Sequence, residues 1–251
     1  MDLELGRHSD LLRSLHVPGD PLVLPNAWDV ASARAVVAAG FPVVATTSGG
    51  VAESLGYEDH EGAPPEEMFS AAARIVRGVD VPVTVDAEAG YGLEPAELVS
   101  ALKDAGAAGC NLEDTDHGAE TLRAPGEYAD WLRSVRAAAA ADGYGLVINA
   151  RIDVFLTGSG EVSEALERAA AYFEAGADCV YPILLSEPEA VARFVSEAGG
   201  PVNILALPQA PSVPELAALG VARVSWGGLL HRETMKQFRR TLDTLRAPGA
   251  G

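Results

Sequence analysis

The sequence predicts an α/β protein, a closed (β/α)8 barrel of the TIM type, on three observations. Its 251 residues are the usual span of one such barrel. Short apolar runs alternate with longer helical patterns, eight of each, and continuous apolar runs are what parallel strands covered on both faces require. One phrase also recurs. VVAAGFPVVATT, LKDAGAAGCNLE, YFEAGADCVYP and LAALGVARVSW each run from an Ala-rich helix through a glycine into an apolar strand. Glycine after a helix takes the left-handed C′ conformation without a Cβ penalty, and a short loop then leads into the strand. An open doubly wound sheet is the second arrangement compatible with this order.

Taken in order, the strands are LVLPN near 22–26, PVVATT near 42–47, VPVTVD near 81–86 and GCNLE near 109–113. They continue with LVINA near 146–150, DCVYP near 178–182, VNIL near 202–205 and ARVS near 222–225. Helical patterns lie near 29–39, 65–77, 95–105, 127–141, 161–175, 188–198, 213–219 and 229–246. No Pro/Ser-rich linker or low-complexity stretch divides the chain, so residues 1–251 read as one barrel domain with a frayed APGAG tail.

Eighteen basic residues stand against thirty-six acidic ones, a formal charge of −18. Such a surface repels phosphodiester backbones, which argues against nucleic-acid binding. No apolar run approaches the roughly 20 residues of a membrane span, and the polar start MDLELGRHSD has no apolar signal core. A soluble, cytoplasmic protein is expected. Cys110 and Cys179 sit inside apolar runs without a CxxC, as buried structural thiols do.

In a barrel of this kind, chemistry collects at the C-terminal ends of the strands. Those ends carry Asn26, the segment Thr46-Thr47-Ser48-Gly49-Gly50, Asp86 and Glu88, Glu113 and Asp114, then Asn149, Arg151 and Asp153. Crowded carboxylates stay ionised only with a cation among them, or else take raised pKa values. An oxygen-only set with no Cys or His suits Mg²⁺, and Asp86, Glu88 and Glu113 can provide it. Asp86 and Glu88, two apart, are expected on one side of a strand. Acids that cap helices or pair with arginine are the plainer alternative. The segment TTSGGVAES reads either as a turn whose backbone N–H groups hold a carboxylate or oxyanion, or as a plain Gly-rich turn. Arg151 can clamp a substrate carboxylate in two-pronged fashion, or pair internally with Asp153 or Glu113.

Several chemistries lack their residues. Lys103 and Lys236 are the only lysines and both fall on helical patterns, so a Schiff-base enzyme has no strand-end lysine. No Gly-x-Gly-x-x-Gly or P-loop motif opens a helix after a strand. The five histidines show no metal-ligand spacing. His8 and His16 are expected on the surface, and His60 and His117 in loops at the catalytic face.

LPNAWDVASARAVVAAGF, TTSGGVAESLGYEDHEG, VPVTVDAEAGYG, GCNLEDT and VINARIDVFL, in that order, resemble the isocitrate lyase/phosphoenolpyruvate mutase superfamily. The resemblance runs from about residue 23 to residue 230 and includes D-x-[DE]-x-G-[YF]-G and N-[LI]-E-D. It implies Asp86 as a direct Mg²⁺ ligand, with Asp59, Glu88 and Glu113 holding the metal's waters. It implies that backbone amides at Ser48 and Gly49 hold the oxo-acid end, with Thr47 nearby and Arg151 on the substrate carboxylate. It also implies a homo-oligomer, a dimer or tetramer, with the last helix exchanged between barrels. The segment after strand 4, DTDHGAETLRAPGEY, lacks the Lys-Lys-Cys-Gly element of the lyases and the lysine and Asn-Ser pair of the mutase branch. His117 as proton donor and Arg123 as anion contact are the replacements there. Tyr181 stands where the mutase places a histidine. The expected activity is a Mg²⁺-dependent lyase cleaving or forming a C–C bond in a small 2-oxo or 2-hydroxy carboxylic acid through an enolate. P–C chemistry on phosphonopyruvate and non-catalytic binding of 2-oxo acids are the alternatives.

Overall fold

The structure, a computed structural model, describes residues 2–246. The frayed tail expected at APGAG lies outside them. The first barrel strand is split into β1 (Leu22–Leu24) and β2 (Asn26–Ala27), because Pro25 between them has no N–H to give a ladder. The others are β3 (Val44–Thr46), β4 (Val83–Asp86), β5 (Gly109–Glu113), β8 (Val147–Ile152), β9 (Cys179–Pro182), β10 (Asn203–Leu205) and β11 (Arg223–Ser225). A two-residue hairpin, β6 (Thr115–Asp116) and β7 (Thr121–Leu122), follows β5.

All barrel pairs are parallel. The ladder runs β2-β3-β4-β5-β8-β9, a bridge between Val180 and Val202 carries it on to β10, and β10-β11-β1 returns it to the first strand. The closed barrel is therefore the arrangement, not the open sheet. The helices of the units are α2 (Val30–Ala38), α3 (Ser48–Leu55), α4 (Pro65–Arg77), α5 (Pro95–Ala105), α6 (Pro125–Ala141), α7 (Val162–Glu174), α8 (Pro188–Glu197), α9 (Val213–Ala218) and α10 (Leu229–Arg246). The recurring phrase has the geometry it implied: Gly40, Gly106, Gly176 and Gly220 all have positive φ, between 78° and 102°.

Helix α1 (Asp2–Ser14) was not anticipated. It is polar and buries Leu5, Ser9 and Leu12, one narrow face, across the N-terminal end of the barrel. Leu12 joins Leu22, Leu24, Val43, Ala45, Ala108 and Val147 in a core of its own. A Cβ on Gly109 would lie 2.8 Å from Leu12 Cδ2 and 2.6 Å from the Val147 carbonyl, so glycine there admits the plug. Arg13 locks it, donating from Nε to Asp178 (2.9 Å) and from Nη2 to the Gly145 carbonyl (3.0 Å). His16, expected on the surface, is buried behind this helix with Nδ1 2.8 Å from the Leu12 carbonyl. Burial, with Arg223 adding repulsion, pushes its pKa down to about 4. Cys110 and Cys179 are free and buried, and burial pushes both thiols up to about 12. No described helix is long and apolar enough to cross a membrane.

Candidate active site

A cavity of about 650 Å³ opens at the C-terminal end of the strands. Thr47, Ser48, Gly49, Asp59, Asp86, Arg151 and Tyr181 line it, together with Asn26, Gly50 and His60. Glu88, Glu113 and His117 stand behind its wall.

Asp86 ends β4 on the cavity floor. Its Oδ2 accepts from the Ser48 amide (3.1 Å), its own amide donates to Thr46 Oγ1 (2.8 Å), and the Asn111 amide faces its Oδ1 at 3.4 Å. Asn111 has no freedom to turn away. Its oxygen accepts from Asn149 Nδ2 (2.8 Å) and from Nη2 of Arg223 (3.1 Å), a fully buried guanidinium in the barrel interior. Burial holds the Asp86 carboxyl above the usual range; Arg151 and the Ser48 amide pull it down, and Asp59 pushes it up again.

The segment TTSGG is the start of α3, not a turn. Thr47 occupies the N-cap but makes no side-chain capping bond, so the first-turn N–H groups lack intrahelical acceptors. Gly49 permits the approach of Asp59, because a Cβ there would lie 2.6 Å from Asp59 Oδ2. No sequence rule distinguishes such a helix start from a Gly-rich turn, since both need small residues after a strand.

Glu88 is not on a strand face. β4 stops at Asp86, and Glu88 sits in the following turn with φ of +48°. Its Oε2 accepts from the Glu61 amide (2.7 Å) and its Oε1 from Tyr91 Oη (2.7 Å), tying this turn to the loop that carries Asp59. Burial pushes Glu88 up to about 8, against the Tyr91 bond, and Asp86 and Asp59 raise it further. His60, Glu61, Glu88 and Tyr91 all have φ between +48° and +64°, left-handed strain concentrated at the barrel mouth.

Arg151, at the end of β8, is engaged on three sides. Nη1 lies 2.5 Å from Glu113 Oε2, Nε 2.6 Å from Asp153 Oδ1, and Nη2 donates to Asp153 Oδ2 at 3.1 Å. The other oxygen of Glu113 meets His117 Nε2 at 2.6 Å, and the His117 ring centroid is 5.3 Å from that of His60, which lines the cavity. The Glu113 bond raises the His117 pKa against the effect of burial. Glu113 itself is held above the usual range by burial, with Arg151 and His117 opposing. Asp114 is structural: Tyr172 Oη (2.6 Å) and Arg168 Nη1 (3.0 Å) both bond its Oδ2. Arg123, the expected anion contact, packs its guanidinium 5.4 Å from the centroid of Trp131.

The far wall of the cavity was missed. Trp226, Gly227, Gly228, His231 and Arg232 come from the end of β11 and the start of α10. Asn26 anchors them, accepting the Trp226 amide at 2.9 Å while donating to the Thr46 carbonyl at 2.7 Å. The double glycine after the eighth strand, like the one after the second, is the signal that could have marked it.

Among the described residues no three Asp, Glu, His or Cys side chains converge as a direct ligand set for an ion. The donor chemistry fits a hard divalent cation that takes one or two carboxylates, here Asp86 with Asp59 beside it, and keeps waters for the rest. Burial is the first cause of the raised pKa values of Asp86 and Glu88, and the Asp59 carboxylate adds to both.

The family model for phosphoenolpyruvate phosphomutase matches residues 12–246. The chain belongs to the isocitrate lyase/phosphoenolpyruvate mutase superfamily. It is 35% identical over 178 residues to the "probable 2-methylisocitrate lyase 2" of Corynebacterium glutamicum, covering 68% of this chain and 57% of that one. A Burkholderia cenocepacia structure, described provisionally as a phosphonomutase, superposes with a TM-score of 0.91 at 38% identity, over 94% of this chain and 99% of that one. The structure of oxaloacetate acetylhydrolase with its product oxalate gives a TM-score of 0.85 at 26% identity, over 99% and 89%. The superfamily is one of enzymes, lyases and mutases of small acids.

Proposed function

We propose that this superfamily member is a Mg²⁺-dependent lyase that cleaves a C–C bond in a small 2-oxo or 2-hydroxy carboxylic acid through an enolate. The observation that carries the reading is Asp86, a half-buried carboxylate on the cavity floor, oriented by the Ser48 amide and Asn111, with Asp59 in the same lining. Asp86, with Asp59 beside it, would hold a divalent cation, which would supply Lewis acidity for an oxygen at which negative charge develops. The residues divide the remaining work. Of the expected amides at Ser48 and Gly49, the Ser48 amide is bonded to Asp86, so the Gly49 amide with that of Gly50 beside it would hold the oxo-acid end, preorganised donors for a developing oxyanion. Arg151, rigid between Glu113 and Asp153, presents its remaining edge to a carboxylate. In a 2-hydroxy acid the hydroxyl proton leaves to a base. The C–C bond electrons then pass to the departing fragment as an enolate, and a proton returns to its carbon. His117, bonded to Glu113 and in ring contact with His60 at the cavity rim, is placed to supply that proton.

Helix α10 supports an oligomer. His231 is its one buried side chain among the described residues, and Phe238, Leu242 and Leu245 lie exposed at i, i+4 and i+7. Exchange of α10 with a second barrel would cover this stripe.

The test is product analysis by NMR on oxaloacetate and branched malates and citrates, with and without MgCl₂. Metal-dependent cleavage of one of them is expected, and no turnover of any sinks the lyase reading. Phosphonopyruvate belongs in the same panel, because the Burkholderia relative favours P–C chemistry as the second reading. Phosphate or phosphoenolpyruvate released from it would replace the first.

A further inference from the structure

Asp59 lines the cavity with Asp86, yet among the described residues its carboxylate makes no hydrogen bond and no ion pair. Its place is therefore set by the backbone that carries it, a stretch at 58–62 that belongs to no helix or strand. Glu61 supplies the bonds that fix this stretch. Its amide donates to Glu88 Oε2 at 2.7 Å, and its Oε1 accepts the Tyr91 amide at 2.5 Å. Tyr91 closes the figure by donating its hydroxyl to Glu88 Oε1 at 2.7 Å. Two carboxylates, two amides and a hydroxyl thus clasp the loop to the turn after β4.

The clasp is braced from outside. The Tyr91 ring packs edge-on to Phe69 of α4, with centroids 5.7 Å apart, and the Glu88 carbonyl accepts the Glu113 amide at 2.9 Å. Gly62 lets the loop fold tightly, since a Cβ there would lie 2.6 Å from the Glu58 carbonyl oxygen. The left-handed residues Glu61, Glu88 and Tyr91 are the members of the clasp, and His60 adjoins it. Residues with a Cβ keep such a conformation only where their surroundings hold them in it. Glu88 is absent from the cavity lining, and both its oxygens accept from the clasp. It meets the loop rather than a ligand.

We infer that Tyr91 and Glu88 are positioning residues: through the Glu61 loop they set Asp59 beside Asp86, and so prepare the cation site without touching the cation. This rests on the divalent-cation reading above and adds to it how the second acid is held. Without the Tyr91 hydroxyl, one oxygen of Glu88 loses its partner and the carboxylate is free to turn from the Glu61 amide. Ordering of the Asp59 loop then falls to the binding step, which weakens affinity.

Calorimetric titration of MgCl₂ into the wild type, Tyr91→Phe, Asp59→Asn and the double variant tests this. The phenylalanine ring keeps the packing on Phe69, so the fold is preserved. Tyr91→Phe should weaken Mg²⁺ binding about fivefold, through the loss of a hydrogen bond to a charged group. In the Asp59→Asn background the same change should alter affinity by less than about twofold, because the acid it positions is already gone. Hydrogen exchange reads the clasp without metal. In Tyr91→Phe the Glu61 amide should exchange about tenfold faster, while that of Leu112 in β5 keeps its rate. An equal loss of Mg²⁺ affinity with and without Asp59 overturns the inference, because Tyr91 would then act by another route. Unchanged Mg²⁺ affinity, or unchanged exchange at Glu61, overturns it too. These outcomes leave the cation reading standing, whereas no binding of Mg²⁺ by the wild type overturns both.

Discussion

The two ends of the barrel handle charge in opposite ways. At the N-terminal end one acid, Asp178, serves two arginines: Arg13 at 2.9 Å and Arg136 at 2.6 Å, with the Ile148 amide on it as well. Both guanidiniums spend further donors on carbonyls of Gly145, Leu146 and Gly176. At the C-terminal end Arg151 is held between Glu113 and Asp153 with His117 on the other oxygen of Glu113, Asp86 and Glu88 meet amide and hydroxyl donors, and burial raises Asp86, Glu88 and Glu113. The first arrangement is complete within the chain. The second leaves Asp86 and Glu88 without an ion pair among the described residues, and its backbone is strained at His60, Glu61, Glu88 and Tyr91. One end is arranged for stability, while the other carries a cost that a ligand can relieve.

The sharpest way to break this comparison is to neutralise one acid at each end. Asp86→Asn should lower turnover about 1000-fold, roughly 4 kcal/mol of transition-state stabilisation. It should also raise the stability of the metal-free protein by about 1 kcal/mol, since a buried carboxyl is removed. Asp178→Asn should do the reverse. It strands two arginines and should cost about 2 kcal/mol in urea denaturation, while turnover per folded molecule stays unchanged. If Asp86→Asn destabilises the metal-free fold, the mouth is not strained by its acids.

A comparable effect is expected from pH. His16 titrates near 4 in the folded chain against 6.5 in its ordinary state, so the unfolded chain binds more protons between those values. Its contribution is complete above pH 6.5 and is lost as pH falls toward 4, about 2 kcal/mol between pH 7 and pH 5. Denaturation of His16→Gln at the two pH values should show that difference shrink. An unchanged difference would place the titrating group elsewhere. The smallest effect belongs to the mouth. Glu88 near 8, with Asp86 and Glu113 also raised, means protons and a cation compete there, so the rise in Tm on adding MgCl₂ should be larger at pH 8 than at pH 6. A shift independent of pH would argue that the cation binds away from these acids.

Both ends were unequally legible in the chain. The eight apolar runs and the glycines at 40, 106, 176 and 220 are local signals, because a strand needs its own side chains and a C′ turn its own glycine. Asp86, Asn149 and Arg151 were visible as polar residues closing such runs. Helix α1 was not, since its apolar side is only Leu5 and Leu12 in a polar segment, and only the barrel end makes that face worth burying. His16 followed it into the interior. The spacing of Asp86 and Glu88 misled, because the strand was assumed to continue where it ends. Arg151 could be read as clamp or ion pair from sequence, and the choice needed Glu113 beside it at 2.5 Å.

The sequence by itself determined the alternation of elements and the strand-end positions where polar residues gather. These depend on hydrophobic period and glycine, properties of a few neighbouring residues. Only the tertiary structure decided which charges pair: barrel closure and strand order set Arg151 between Glu113 and Asp153, Asp178 between Arg13 and Arg136, and Asp86 on the Ser48 amide. Pairing depends on distances between residues from separate elements, and only the closed barrel sets those distances.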